Sequence, residues 1–112
     1  MTVISKSVAE AAIALHRHSD ETFAVRWLED VGSGYEPKDL SAWGATMTLE
    51  TEGCVKLASV ECSCTSDGYV IAEIAQSTIE ALMPHRSGHW RIVGTLGEVT
   101  ELIGDGYFEV VM

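Results

Sequence analysis

The side chains with the most reactive chemistry are three cysteines and four histidines. Cys62 and Cys64 stand two apart, so on a strand both thiols project to one face. Joined by Cys54, or by His85 and His89 in a His-x-x-x-His arrangement, they carry the ligand types of a zinc site. The spacing argues against that site. Structural zinc motifs usually separate paired cysteines by about two to four residues, and nothing follows Cys62-x-Cys64 at finger spacing. Pro84 ends any helix before His85, which removes the meaning of helical spacing for the two histidines. An odd number of cysteines makes no disulfide framework, so Cys62 and Cys64 read as reduced thiols lining a core face. His16 and His18 would share a strand face and read as solvent-facing or edge residues.

Catalysis by a nucleophile needs a base and an orienting group close in space. Ser, His and Asp are present, but no nucleophile elbow or paired-carboxylate signature stands out. Gly32-Ser33-Gly34 has the glycines of a phosphate loop without its lysine, and Pro37 follows where a helix would have to begin. The expectation is a protein that is not an enzyme and has no metal or cofactor.

Charge narrows the partners. Seventeen acidic residues face seven basic ones, for a net charge of −10. Phosphate backbones would be repelled, and Lys6, Arg17, Arg26, Lys38, Lys56, Arg86 and Arg91 are scattered, so no nucleic-acid partner is expected. A partner with a basic surface fits the charge better. No apolar run approaches the roughly 20 residues of a membrane helix, and the N-terminus lacks the features of a secretory signal. Folding in a cytoplasm, with no membrane partner, is the expectation.

The elements that must position these residues are strands. Period-2 alternation is clearest where Trp43, Ala45, Met47 and Leu49 oppose Gly44, Thr46, Thr48 and Glu50. Phe23, Val25 and Trp27 make a second inward row, and Ala58, Val60, Cys62 and Cys64 a third. Further runs cover Val70 to Ile74, Trp90 to Val93, Val99 to Ile103 and Tyr107 to Val111. Gly32-Ser33-Gly34, Glu52-Gly53, Ser66-Asp67-Gly68, Ser87-Gly88, Gly97 and Gly104-Asp105-Gly106 read as the turns between them, with Asp105-Gly106 the strongest hairpin signal. Gln76 to Met83 reads as a helical crossover, capped by Ser77 with Glu80 three residues on and stopped by Pro84. A strand is expected near residues 13–18, after an extended or partly helical arm.

Several corner and core residues have direct physical roles. Asp20 can hold its own turn through its carboxylate, and Asp39 can accept a bond from the backbone two residues on. Pro37 pre-sets φ where the chain turns toward the next strand, ahead of Leu40. Trp27, Trp43 and Trp90 can supply large buried areas to a core between sheets.

These same residues carry a resemblance. Ser19-Asp20-Glu21-Thr22-Phe23, then Val25 and Trp27, match a Gly-Asp-x-Phe-like turn into a strand. Pro37-Lys38-Asp39-Leu40-Ser41-Ala42-Trp43, then Met47, match a Pro-x-Asp-Leu-Thr-Gly-like segment. Thr78, Leu82, Gly88-His89-Trp90, Gly97-Glu98-Val99, Leu102, Gly104 and Gly106 follow in order. From His18 onward, about four fifths of the chain, the pattern resembles the small β-sandwich proteins in the structural modules of tailed phages, especially those of actinobacteria, associated with tail fibres and the lower tail. Ser19 departs from the usual Gly, and Ser41-Ala42 from the usual Thr-Gly. The matching residues are turn and core residues, so they speak to fold more than to role.

The fold class expected is all-β: an antiparallel β-sandwich of about seven to eight short strands with one helical crossover near residues 77–83. An N-terminal arm of residues 1–12 would precede a sandwich domain of residues 13–112, with Val3, Ile4 and Val8 as the candidate subunit contacts. The resemblance implies a virion structural subunit of the tail, tail-fibre or baseplate region, packed against other virion proteins in a homo-oligomeric or symmetric assembly. Its alternatives are a capsid decoration or head–tail connector protein, and a host-surface-binding module using Tyr35, Trp43, Tyr69, His89 and Trp90.

Overall fold

The computed structural model describes residues 9–112, so Val3, Ile4 and Val8 lie outside the described residues. The elements in chain order are β1 (Ala9–Glu10), β2 (Ile13–His16), β3 (Glu21–Arg26), β4 (Leu28–Asp30), β5 (Tyr35–Pro37), β6 (Gly44–Glu50), β7 (Lys56–Cys64), β8 (Tyr69–Ile74), α1 (Gln76–Ala81), β9 (Ser87–Leu96) and β10 (Val99–Val111). Eight strands form one sheet in the order β1-β10-β9-β6-β7-β8-β3, with β2 also on β10; β4 and β5 make a separate hairpin. The sheet curls into a nearly closed, barrel-like form.

The fold is all-β, as expected, but its strands are not all antiparallel. β1 and β2 run parallel to β10, in one continuous register from Ala9 opposite Gly104 to His16 opposite Val111. The arm boundary expected at residue 12 therefore falls inside a segment that pairs on both sides of it.

Alternation builds the core as anticipated. Ala45, Met47 and Leu49 of β6 are buried, and they meet Val70, Ala72 and Ile74 of β8 with Ile92, Phe108 and Val110 in one cluster. Of the three tryptophans only Trp90 is fully in this core. Trp27 and Trp43 are half-buried at its rim, edge to face with centroids 5.3 Å apart. The Lys38 ammonium lies over both rings, 5.2 and 5.9 Å from their centroids. Leu40 is fully buried beside them, and Asp39 accepts a 2.9 Å bond from the Ser41 backbone N–H, the corner foreseen from its residue type. Pro37 is the last residue of β5, exposed and opposite Leu28, in a short edge hairpin where a proline is tolerated.

Two expected turns are strand. Gly104-Asp105-Gly106 lies inside β10, whose ladder with β9 runs from Val99 to Glu109 with one irregularity between Leu102 and Gly104. The hairpin reversal is at Gly97, with φ of +58°. Gly106 is there for close approach: a Cβ would collide with the Ala11 carbonyl and come within 2.9 Å of Trp90 Nε1. Ser87-Gly88 likewise opens β9, and a Cβ on Gly88 would strike the Glu50 carbonyl and the Phe108 ring.

The helix is shorter than expected and is capped from elsewhere. Ala75 holds the N-cap position with no side-chain bond, so Ser77 does not cap it. Asp20 Oδ1 instead accepts from the Gln76 backbone N–H at 2.8 Å, across 56 positions of sequence. Gln76 Nε2 donates to the Arg17 carbonyl, and Arg17 forms a two-bond fork with Glu80 at 2.7 and 2.6 Å. The β2–β3 turn is thus fastened to α1.

The Arg17 bond holds the Glu80 carboxyl below its ordinary 4.5, and the His16 bond does the same for Glu21. A carboxylate with a lowered folded-state pKa contributes stability that is present above 4.5 and lost as pH falls through its folded value. Melting temperature should therefore hold from neutrality down to about pH 5 and fall below it, and Glu80→Gln should flatten that fall. Asp20→Ala should cost about 1 kcal/mol in urea unfolding. Gly106→Ala should cost about 2 kcal/mol and speed amide exchange in Ile13–His16 before it does so in β6.

Candidate functional site

Among the concave features of the curled sheet, one lies on its outer face and one at its open seam. The outer one follows from register. Residues paired across a sheet project to the same face. Glu50 of β6 is opposite His89 of β9, which is opposite Tyr107 of β10. One row along, Thr48 is opposite Arg91, Arg91 opposite Asp105, and Asp105 opposite Glu10 of β1. The loop carrying Cys54 closes one side, giving an open groove of about 440 Å³ lined by Glu10, Cys54, His89, Arg91, Asp105 and Tyr107.

Inside the groove the His89 and Tyr107 rings stack at 4.7 Å between centroids, tilted by 46°. Tyr107 is 62% exposed. Arg91 Nη1 sits 3.6 Å from Glu50 Oε1, too far for a good hydrogen bond. Glu50 is only 8% exposed, and its Oε1 is buried without a hydrogen-bond donor among the described residues. Sequence alternation placed Glu50 on the outer, polar row but gave no sign of its burial.

The seam is apolar. Among the described residues β2 pairs only with β10 and β3 only with β8, so two strands joined by a four-residue turn (17–20) face each other without a ladder. Between them lies a slot of about 340 Å³, walled by Ile13, Phe23 and Val25 and floored by Met47, Trp90 and Ile92.

The residues singled out by type are mostly kept apart. Cys62 and Cys64 pack on the core-facing side of β7, whereas Cys54 is exposed with φ of +65° at the groove. Burial pushes the Cys62 thiol up to about 11, and raises Cys64. His85 is exposed after α1. Among the described residues no three His, Cys, Asp or Glu side chains converge as metal ligands. Of the proposed aromatic contacts, His89 and Trp90 reach the groove, Tyr35 is exposed on the β4–β5 hairpin, and Tyr69 lies under Arg26 at 4.8 Å. Tyr107, Arg91 and Asp105 were not foreseen. Their signal was the outward phase of β9 and β10, hidden while Asp105-Gly106 was read as a turn.

One cluster has the composition of a catalytic triad. His16 Nδ1 and Ser19 Oγ both bond Glu21 Oε1, at 2.9 and 3.1 Å. The carboxylate stands in the middle, so the histidine is not placed to take the serine proton, as a triad requires.

No protein-family model matches the chain, and no curated protein matches it either. Among solved structures, it is similar to DIP-gamma IG1+IG2 (TM-score 0.42, 8% identity, 92% of this chain and 45% of that one). It is also similar to an uncharacterized protein from Bacillus anthracis str. Ames (TM-score 0.42, 10% identity, 93% and 85%). A third is the CupB6 tip adhesin from Pseudomonas aeruginosa (TM-score 0.35, 9% identity, 92% and 40%). The chain spans less than half the length of the first and third of these. All are distant likenesses of shape, and no assignment rests on them.

The thiols offer a direct check on this geometry. At pH 8 iodoacetamide should alkylate Cys54 first, with Cys62 slower by about tenfold or more, since the thiolate is the reactive form. Equal rates by peptide mass spectrometry would contradict the burial of Cys62.

Proposed function

We propose that this chain is a non-enzymatic structural subunit of a bacteriophage virion, of the tail, tail-fibre or baseplate region, acting by packing against neighbouring virion proteins. The observation that carries the packing part is the seam. Two strand edges that are unpaired among the described residues flank an apolar slot floored by core residues Met47, Trp90 and Ile92. Unpaired edges are templates for strand addition, and apolar pockets beside them select the incoming side chains. The virion part rests on the resemblance in turns and core. On this reading the two halves of the curled sheet serve as the layers of a small sandwich, and the assembly is homo-oligomeric or otherwise symmetric. Localisation would be the virion.

Electron cryo-microscopy of the purified particle tests the location. Density for this chain at the tail, fibres or baseplate is expected; density on the capsid shell would make it a decoration protein, and absence from the particle would overturn the virion reading. Hydrogen exchange tests the seam separately. Amides of Glu21–Arg26 should exchange at least about tenfold more slowly in the assembled particle than in the isolated chain. Equal rates would remove the slot as the packing site.

A further inference from the structure

We propose that the edge of β10 at residues 99–103 is the docking site of this chain's own N-terminal segment, residues 4–8, which adds there as a parallel strand continuing β1. None of residues 99–103 lines the seam slot, so the inference goes beyond the strand-addition reading and does not rest on it.

The edge comes first. β10 spans Val99–Val111 and pairs with β9 from Val99 to Glu109. On its other side β1 and β2 cover it only from Gly104 to Val111. Among the described residues nothing pairs with that side of residues 99–103. Val99 is 50% exposed and Leu102 40% exposed there, on an edge whose unpaired backbone groups are a template for another strand.

Register names the occupant. The ladder opens with Ala9 opposite Gly104 and Glu10 opposite Asp105, in parallel. Counted back one residue for one, Val8 stands opposite Ile103, Ser7 opposite Leu102, Lys6 opposite Glu101, Ser5 opposite Thr100 and Ile4 opposite Val99. These pairs are chemically matched. Apolar residues meet at both ends, hydroxyls meet at Ser5 and Thr100, and the Lys6 ammonium meets the Glu101 carboxylate. A slip of one residue would put Lys6 opposite Thr100 or Leu102 and lose that pair. Among the described residues Glu101 has no ion-pair partner. Residues 1–8 hold Lys6 and no acidic side chain, whereas the rest of the chain carries all 17 acidic residues against the other six basic ones. The segment is therefore the stretch that an acidic edge attracts.

Length and tethering complete the fit. Five residues at about 3.3 Å each reach from Ala9 to the level of Val99, just short of the turn at Gly97. Ala9 is already held in the ladder, so the segment meets this edge at an effective concentration that a separate chain does not match. Docked there, it closes a sheet edge to other chains. Drawn off by a neighbour, it opens that edge in the same step.

Amide exchange by NMR on the full ¹⁵N-labelled chain, beside a variant lacking residues 1–7 and two charge variants, tests this. In the full chain the amides of residues 99–103 that are not bonded to β9 should exchange at least about tenfold more slowly than in the truncated chain, with β6 amides equal in both. Lys6→Glu should speed the same amides by about threefold, and adding Glu101→Lys to it should restore them. Nuclear Overhauser effects between residues 4–8 and 99–103 should follow the stated register. Equal exchange with and without the segment would overturn the proposal, as would failure of the charge exchange to restore protection. Protection that is lost on dilution would also overturn it, because it would assign the edge to the segment of a second copy.

Discussion

The indole N–H of Trp90 donating to the Ala11 carbonyl, at 2.8 Å, is the interaction on which the rest of the architecture turns. It takes that carbonyl out of the ladder and pins the interruption between β1 and β2 against the side of β9–β10. The approach is so close that position 106 has no room for a Cβ. Ala9–His16 runs parallel along the edge of β10, in one register on both sides of this bond. Trp90 is itself fixed by burial in the core, so a core residue sets the course of a peripheral strand. Ala11 also borders both the groove and the seam slot, which makes this one bond common to the two sites.

Parts of this were legible in the chain because they are local. The alternation of β6 encodes its own inner face, and Asp39 bonds two residues ahead, within reach of any Asx residue. What was not legible depends on distant partners. Asp105-Gly106 carries the local chemistry of a turn, but the glycine answers a carbonyl at Ala11, and a glycine kept for space looks the same in sequence as one kept for positive φ. Asp20 shows the same ambiguity: its carboxylate serves a helix N-terminus 56 residues away and not its own turn. Trp27 and Trp43 sit at the rim with Lys38 over them, a contact no spacing rule discloses. The parallel pairing of β1 and β2 with β10 is likewise a contact across more than 90 positions of sequence. Tyr107 was obscured by the same misread turn, since a residue beside a supposed hairpin has no assigned face.

The open seam sets the problem that a strand protein of this kind has to solve. Free edges pair indiscriminately unless something opposes it. Here the opposing term is charge. At −10, two copies repel each other at long range, and the β3 edge itself carries Glu21 and Arg26 at its two ends. Repulsion of that kind is screened at physiological salt beyond about 8 Å, so it governs approach more than contact. A partner that brings a strand together with positive charge would approach the slot faster than a second copy, while contact itself is open to either.

That distinction links the two concave sites without requiring them to touch. An edge and an apolar slot give affinity through backbone pairing and burial, which discriminate poorly among sequences of similar hydrophobicity. The groove instead carries the carboxylates of Glu10 and Asp105, the Arg91 guanidinium and the exposed Tyr107 ring, a polar surface where the slot is apolar. The two lie on different faces of one sheet. The rigidity comes from the shared ladder of β9 and β10: Trp90 and Ile92 face the slot from the same strand on which His89 and Arg91 face the groove. The pleat alone therefore fixes the two sites relative to one another, since any displacement of β9 that opened one would carry the other with it.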